Sequence, residues 1–241
     1  MKNFKALFFR ILPLLAIIGP GIISGSVDND AGGIATYSIA GAQFGTSLLW
    51  ILLLTTFFLA ITQEIGARMG LVTGKGLASL IREKFGVRWT TFIMFVLLIA
   101  NLGTIAAEFA GIAAALQIFH VSKLISVPLI GVLIFFLVTK WSFKKLEKIF
   151  LIVSGFYLVY VISAVLAHPN WTTSIQSLVV PHLEWSKAYI LTAIAVIGTT
   201  ITPWGQFFIQ DYVVDKKLTQ DDLKVERGDV FFGSFITNFI S

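Results

Sequence analysis

The sequence contains no cysteine and few charged residues. None of the 241 residues is Cys, and Asp, Glu, Lys and Arg together make up only 13%, whereas soluble domains carry about 25%. The missing cysteines exclude disulfides, thiolate metal sites and a cysteine nucleophile, which leaves oxygen as the main ligand type. Hydrophobic residues instead make up 56% of the chain. This composition predicts an integral membrane protein.

Uncharged stretches long enough to cross a bilayer recur along the chain. They lie at 11–27, 44–63, 90–107, 149–167 and 188–210, with a shorter one at 124–139, and a helical crossing needs about 20 residues. We therefore predict an all-α, polytopic membrane protein with helical segments at about 11–40, 45–68, 88–119, 123–140, 145–167 and 187–214. A seventh segment starts near 226. Its apolar part, 230–241, is too short to span, so we expect a partial transmembrane domain from a longer protein.

The basic residues are distributed unevenly between the two sides of the predicted membrane. When the segments alternate from a cytoplasmic N-terminus, 16 of the 18 Lys and Arg residues fall inside, and only Lys123 and Lys187 fall outside. This bias is the positive-inside pattern of a cell-membrane protein. The net charge of +5 then follows from topology, so we expect membrane lipid as a partner and no nucleic acid.

Two predicted segments are interrupted in their middle. The first contains DNDAGG at 28–33, and the sixth contains GTTITPWG at 198–205, where Pro203 removes an amide donor. Interrupted helices in corresponding positions are typical of inverted-repeat transporters, in which unwound backbone faces a substrate site. Two aspartates, Asp28 and Asp30, are costly in hydrocarbon unless a cation neutralises them. A divalent ion between them and the freed carbonyls removes that cost.

Several stretches resemble one known family in the correct order. They are GPG at 19–21, DAGG at 30–33, AGAQFG at 40–45, TQEIGARMGLVTGKGLASL at 62–80, AAEFAGIAAAL at 106–116 and IGTTITP at 197–203. Together they resemble the Nramp family of divalent metal transporters. The resemblance implies a LeuT-type inverted-repeat fold with broken first and sixth helices. Within the single transmembrane domain 1–241, residues 1–167 would form the first five-helix repeat and 187–241 the start of the second.

The sequence departs from the usual family pattern at its metal-binding positions. Gly33 stands where the family has Asn, Thr202 where it has a Met thioether, and Trp204 where it has His. Ile105 replaces an Asp tied to proton movement, and Asp28 is an additional acid. The remaining oxygen ligands favour Mg²⁺, with Mn²⁺ as the usual companion. This pattern resembles the Nramp-related magnesium transporter branch and favours transport without proton coupling.

The resemblance implies a set of site residues, each with a structural alternative. The predicted metal ligands are Asp28, Asp30, Thr202 and the backbone carbonyls of Val27 and Thr199; Gly33, Gln206 and Glu108 are predicted to line the shell or the pathway. Asp30 could instead be a helix cap, and Thr202 could bond its own backbone. Gln206 could hold helices together, and Glu108 could be a hydrogen-bonded tie between helices.

The sequence therefore predicts a transporter of Mg²⁺, or also Mn²⁺, with the ion as cargo and no resident cofactor. A proton-coupled Mn²⁺ or Fe²⁺ symporter is the near alternative. An intramembrane aspartyl protease using Asp28 and Asp30 is a remote one, because two acids only two residues apart diverge on a helix, whereas such a dyad converges from two elements. We therefore do not expect an enzyme.

Overall fold

The computed structural model describes residues 30–142, 145–146, 149, 156 and 158–240, and these form helices joined by short connections. The helices are α1 (Ala31–Phe44), α2 (Leu49–Thr73), α3 (Leu77–Gln117), α4 (Lys123–Lys140), α5 (Leu158–Leu166), α6 (Trp171–Val179), α7 (Lys187–Thr200), α8 (Pro203–Asp215), a 3-10 helix (Gln220–Asp222) and α9 (Leu223–Ile240). The part of the chain that the structure describes contains no β-strand, as predicted.

Four stretches of the described chain are long and apolar enough to cross a membrane. They are α2, α3, α4 and the α7–α8 pair, Lys187–Asp215. They correspond to the predicted second, third, fourth and sixth segments. The predicted fifth segment is described mainly through α5, and the predicted first segment only from Asp30 onward, so its N-terminal half lies outside the described residues.

Two regions that the sequence analysis treated as connections contain helix. The predicted inner link, 69–87, is largely helical, because α2 continues to Thr73 and α3 begins at Leu77 after a left-handed Gly74 (φ 63°, ψ 20°). Good helix formers in this stretch, such as Leu77, Leu80 and Lys84, allow the helix despite the glycines around them. The predicted outer link, 168–186, contains α6, whose N-cap Asn170 accepts a hydrogen bond from the Thr173 N–H.

Glycines bring α2 and α8 into close contact. Gly66 and Gly70 are one turn apart on α2, in the small-xxx-small spacing that lets membrane helices approach. A Cβ added at Gly66 would lie 2.8 Å from Cγ2 of Ile209, and one added at Gly70 would lie 2.8 Å from the backbone oxygen of Gln210. Ile209, Val213 and neighbouring apolar residues form a buried cluster on this side. The position of α8, which follows the second interruption, is therefore set by glycines on α2.

A buried acid lies at the beginning of α9, outside the four spanning stretches. Glu226 is fully buried, and neither of its carboxylate oxygens has a hydrogen-bond partner among the described residues. Burial, followed by the charges of Asp229 and Asp222, raises the pKa of Glu226 to about 7, while Lys216 acts in the opposite sense. Beside it, Arg227 and Arg68 both pair with the Glu64 carboxylate of α2, at 3.1 Å and 2.5 Å.

Replacing Gly70 by Ala should loosen the α2–α8 contact. The added methyl meets backbone rather than a movable side chain, and overpacking of this kind typically costs about 1–3 kcal/mol. This cost exceeds the gain in helix propensity, up to about 1 kcal/mol, that alanine has over glycine. We expect a lower thermal unfolding midpoint for the purified protein in detergent.

The matched control for this substitution is Gly103→Ala on α3, where an added Cβ meets nothing within 4 Å. This variant should be unchanged or slightly more stable. An unfolding midpoint for Gly70→Ala equal to that of the control would contradict the assigned contact.

The Glu226 carboxyl should make stability depend on pH. The ordinary pKa of this carboxyl is 4.5, and its pKa in the folded protein is about 7. Between pH 4.5 and pH 7, the folded state therefore holds a proton that the unfolded state has lost. Stability should therefore fall as pH rises from 4.5 through 7, by on the order of 3 kcal/mol. Glu226→Gln should remove this fall, which thermal unfolding at pH 5 and pH 8 would detect. The exposed Glu184→Gln should retain the wild-type pH dependence.

Candidate functional site

The predicted first interruption, 28–33, is described from Asp30 onward, and Asp30 stands at the beginning of α1. Asp30 is the N-cap of α1: its backbone is extended (φ −73°, ψ 179°), and its Oδ1 accepts a hydrogen bond from the Gly33 N–H at 2.6 Å. This bond satisfies one of the amide donors that a helix start leaves free. Asp30 is thus a helix cap, and it also lines the cavity described below.

A second acid reaches the same helix end from α3. Oε2 of Glu108 accepts a hydrogen bond from the Ala31 N–H at 3.3 Å, and its Oε1 is buried without a partner among the described residues. Asp30 and Glu108 accept hydrogen bonds from the Gly33 and Ala31 amides of the same helix start, so their carboxyl groups are neighbours. Two neighbouring carboxyls repel when both are ionised, and a proton or a cation between them relieves that repulsion.

Small residues bring these two acids together. Gly111, three residues after Glu108, lies directly against Ala31, so a Cβ at Gly111 would overlap the Ala31 side chain. A Cβ at Gly32 would come within 3.2 Å of Asp30 Oδ1 and 3.9 Å of the Ala107 methyl. The small residues that the sequence places on both helices therefore allow the acid of α3 to reach the start of α1.

The second interruption lies where it was predicted, between α7 and α8. Helix α7 ends at Thr200, Ile201 departs from helical geometry (φ −108°, ψ 80°), and Thr202 is the extended N-cap before Pro203. Pro203 has no N–H, so the carbonyl of Thr199, four residues earlier, cannot make the usual helical bond. The Thr202 hydroxyl makes no capping bond. The break therefore exposes acceptor oxygens from Thr199 and Thr202.

A hydrogen bond ties the two interrupted helices together. The Tyr37 hydroxyl on α1 lies 2.9 Å from Oγ1 of Thr200, the last residue of α7. Thr200 donates its only hydroxyl proton to the carbonyl of Val196 at 2.8 Å, so Tyr37 must be the donor to Thr200. The sequence analysis missed both residues. The available signal was that Tyr37 lies two helical turns after Asp30, near one face of the same helix.

A cavity of about 410 Å³ lies between the start of α1, the middle of α3 and the first turn of α8. Its lining consists of Asp30 from α1, Trp204 from α8, and Asn101, Thr104, Ile105 and Glu108 from α3. The Trp204 indole N–H is buried without a partner among the described residues, and its ring packs edge-on against Phe208. Asn101 and Thr104 lie seven and four residues before Glu108, so the helical period places all three on one face of α3. That spacing could have identified them from the sequence.

The structure places the predicted site residues in three groups. Asp30 and Glu108 line the cavity, and the Gly33 N–H donates to the Asp30 carboxylate. Thr199 and Thr202 flank the second break. The Gln206 amide points to α2, where it donates to the Thr62 hydroxyl at 3.4 Å, the geometry of the helix-packing alternative. Val27 and Asp28 lie outside the described residues. Within the described ranges, no three His, Cys, Asp or Glu side chains are grouped to hold a metal, and the acidic part of the site is the Asp30–Glu108 pair.

Comparisons with known proteins agree on one family. The model of the natural resistance-associated macrophage protein-like (Nramp) family matches residues 21–241. The divalent metal cation transporter MntH of Latilactobacillus sakei subsp. sakei (strain 23K) is 29% identical over 224 residues, which are 91% of this chain and 49% of that protein. The protein of the same name from Pediococcus pentosaceus is 31% identical over 214 residues, 85% of this chain and 48% of its own length. The chain thus spans about half the length of these relatives.

The fold also matches solved structures. A crystal structure of the Eremococcus coleocola manganese transporter, in complex with an aromatic bis-isothiourea-substituted compound, superimposes with a TM-score of 0.76 at 23% identity. The match covers 94% of this chain and 49% of that one. This likeness confirms the predicted LeuT-type fold. The relatives are named as transporters, in agreement with the expectation that the chain is not an enzyme, whereas the division at 1–167 and 187–241 stays a prediction.

Replacing Pro203 by Ala should close the second interruption. Alanine restores an amide that can bond the Thr199 carbonyl, and it favours the helix interior by about 3 kcal/mol over proline. Because the chain has no cysteine, Thr202→Cys provides a unique thiol whose labelling rate by a water-soluble methanethiosulfonate reports the break. We expect slower labelling in the Pro203→Ala background.

Pro128→Ala is the matched control, since Pro128 lies inside α4 and away from the break. It should leave the labelling rate of Thr202→Cys unchanged. Equal labelling rates in the Pro203→Ala and Pro128→Ala backgrounds would show that the proline does not hold the helix open.

Proposed function

We propose, from the premise that the chain belongs to the Nramp family, that it is part of a membrane transporter that carries divalent metal cations between its two interrupted helices. The observation that carries this proposal is the pair of acids, Asp30 and Glu108, in a cavity that also reaches the second break through Trp204. Carboxyl groups at this depth are rare unless they serve a pathway or a partner. Both MntH relatives are named as divalent metal cation transporters, which supports the same assignment.

In this proposal the described residues supply charge and oxygen ligands. Asp30 contributes its carboxylate as a metal ligand while it remains the cap of α1. Glu108 lines the pathway of the ion next to Asp30. Thr199 and Thr202 contribute the carbonyl and hydroxyl oxygens that the second break leaves without helical partners. Asp28 and the Val27 carbonyl complete the proposed ligand set. Access alternates by the rocking of one helix bundle against another.

We further propose that Mg²⁺ is the preferred cargo, with Mn²⁺ also accepted, and that transport is not coupled to protons. The proposed ligands are all oxygens, which suit hard ions, and the chain has no thiolate to favour softer metals. Thr202 replaces the thioether of the family pattern. Trp204 replaces a titratable imidazole with an indole that cannot exchange protons near neutral pH.

A proton-coupled Mn²⁺ or Fe²⁺ symporter is the second candidate, and one feature of the site favours it. Asp30 and Glu108 lie close enough for one charge to act on the other, and such a pair can hold a proton that an arriving cation displaces. The solved structures that share this fold include a manganese transporter. The two candidates differ in whether metal entry moves protons.

The proposed location is the cell membrane, with the N-terminus in the cytoplasm. The sided distribution of 16 Lys and Arg residues against 2 supports this orientation. In this proposed orientation, the C-terminal ends of α2 and α8 and the start of α3 lie on the inner side.

Asp30→Asn tests the metal role of Asp30 separately from its capping role. Asparagine is as good an N-cap as aspartate, so the helix start should survive while the charge is lost. We expect Mg²⁺ and Mn²⁺ uptake into liposomes that contain the full-length protein to fall at least roughly tenfold, since a lost charge interaction of about 1.4 kcal/mol already has that effect. Asp221→Asn, at an exposed residue of the 3-10 helix, should transport normally. Undiminished uptake by Asp30→Asn would refute the assignment.

A pH-sensitive dye inside the same liposomes separates the two candidates. Mg²⁺ uptake without a change in internal pH is the expected result. Acidification that accompanies Mn²⁺ entry, with little Mg²⁺ uptake, would replace the first candidate with the proton-coupled one.

A further inference from the structure

Helices α1 and α7, which flank the two interruptions, pack side by side and run in opposite directions. Near the end of α1, the Phe44 ring packs edge-on against Tyr189 in the first turn of α7, with 5.3 Å between the ring centroids. Two turns earlier on α1, the Tyr37 hydroxyl meets Thr200, the last residue of α7. Buried residues of both helices belong to one apolar cluster. The start of α1 and the end of α7 therefore lie at the same end of this pair.

The hydrogen bond between Tyr37 and Thr200 joins two side chains that cannot move freely. Thr200 is fully buried, at 0% exposure, and its hydroxyl donates to the Val196 carbonyl at 2.8 Å while it accepts from Tyr37 at 2.9 Å. The Tyr37 ring packs against the same apolar cluster that contains Val196. Side chains on a helix lean toward its N-terminus, so the Tyr37 hydroxyl lies nearer to the start of α1 than its own Cα does.

This bond connects the two parts of the proposed metal site. Asp30 is the N-cap of α1, which continues as one helix from Ala31 through Tyr37, so the position of Tyr37 is fixed relative to Asp30. Thr199 directly precedes Thr200, so the Thr199 carbonyl moves with the end of α7. The separation between the carboxylate of one interruption and the carbonyl of the other therefore depends on how closely α1 and α7 are held.

The separation of the oxygen ligands decides which ion such a site accepts. Mg²⁺ takes oxygens at about 2.0–2.1 Å in near-ideal octahedral geometry, whereas Ca²⁺ takes them at about 2.3–2.6 Å in flexible sites. A site built from two helices excludes the larger ion only if the helices do not move apart. We propose that Tyr37 is a positioning residue, which touches no ion but fixes the end of α7 against α1, so that the site favours Mg²⁺ over Ca²⁺. This role of Tyr37 rests on the proposed function.

Tyr37→Phe removes the hydroxyl and keeps the packed ring. With the full-length protein in liposomes, we expect the KM for Mg²⁺ uptake to rise about fivefold, the effect of losing one hydrogen bond, while the maximal rate is retained. The inhibition constant of Ca²⁺ against this uptake should not rise, so the preference for Mg²⁺ over Ca²⁺ should fall by the same factor. The matched control is Tyr160→Phe on α5, outside the contact between α1 and α7, which should change neither constant.

The partner side chain allows a test of the bond itself. Thr200→Val removes the hydroxyl with little change in shape, and it should raise the KM for Mg²⁺ about as much as Tyr37→Phe does. The double variant should be no worse than either single one, because both substitutions remove the same interaction. Thr200→Ser keeps the hydroxyl and should retain the wild-type KM. Additive increases in the double variant would show that Tyr37 acts by another route and would overturn the proposal.

Failure of this role can be told apart from failure of the proposed function. If Asp30→Asn abolishes Mg²⁺ uptake while Tyr37→Phe leaves both the KM and the preference over Ca²⁺ unchanged, the metal site stands and the positioning role is wrong. A lower thermal unfolding midpoint of Tyr37→Phe with an unchanged KM would assign the bond to stability alone, which also contradicts the role. An absence of Mg²⁺ uptake by the wild-type protein would overturn the role together with the proposed magnesium transport.

Discussion

Every polar backbone group that this chain places in hydrocarbon must find its partner within the protein, because lipid provides none. A continuous helix meets this requirement by itself, and an interrupted one does not. The break at Ile201 and Thr202 leaves the Thr199 carbonyl without an amide because Pro203 has none. At the other break, the first amides of α1 are satisfied by carboxylates, one from Asp30 and one from Glu108. The break before Pro203 thus leaves backbone acceptors without helical partners, whereas the start of α1 binds carboxylate oxygens.

The small residues allow this arrangement by bringing the helices close enough for the polar groups to meet. Glu108 reaches the start of α1 because Gly111 and Ala31 permit contact between the helices, and α8 takes its position against Gly66 and Gly70 of α2. Tyr37 then joins α1 to the end of α7 through Thr200. Packing and polar pairing are therefore not separate contributions here. A bulkier residue at Gly111 would also separate the two acids.

Much of the fold was predictable because its causes are local in sequence. The lengths of the spans follow from uncharged runs, and the second break follows from Pro203 between two glycines. The Thr219–Asp222 capping box forms as its spacing indicates. The site was less predictable, because Asp30 and Glu108 are 78 residues apart and nothing in either segment specifies that they meet. Residues 77–85 were assigned to a link because their charges suggested solvent, whereas at a membrane surface a charged amphipathic segment can remain helical.

The composition of the cavity bears on the choice between the two proposed functions. Among its described lining residues, only Asp30 and Glu108 carry a carboxyl group, whereas the side chains of Asn101, Thr104, Ile105 and Trp204 are not acids. The buried Trp204 N–H can donate to a carboxylate or a water molecule, but it cannot bind a metal ion. In either proposed function, a metal that approaches Asp30 would compete with any proton that the pair holds. If Glu108 keeps that proton by facing the Ala31 amide with its other oxygen, the metal enters without proton release; if the pair shares it, entry expels it. The two proposed functions thus differ in where a single proton lies between the two carboxyl groups.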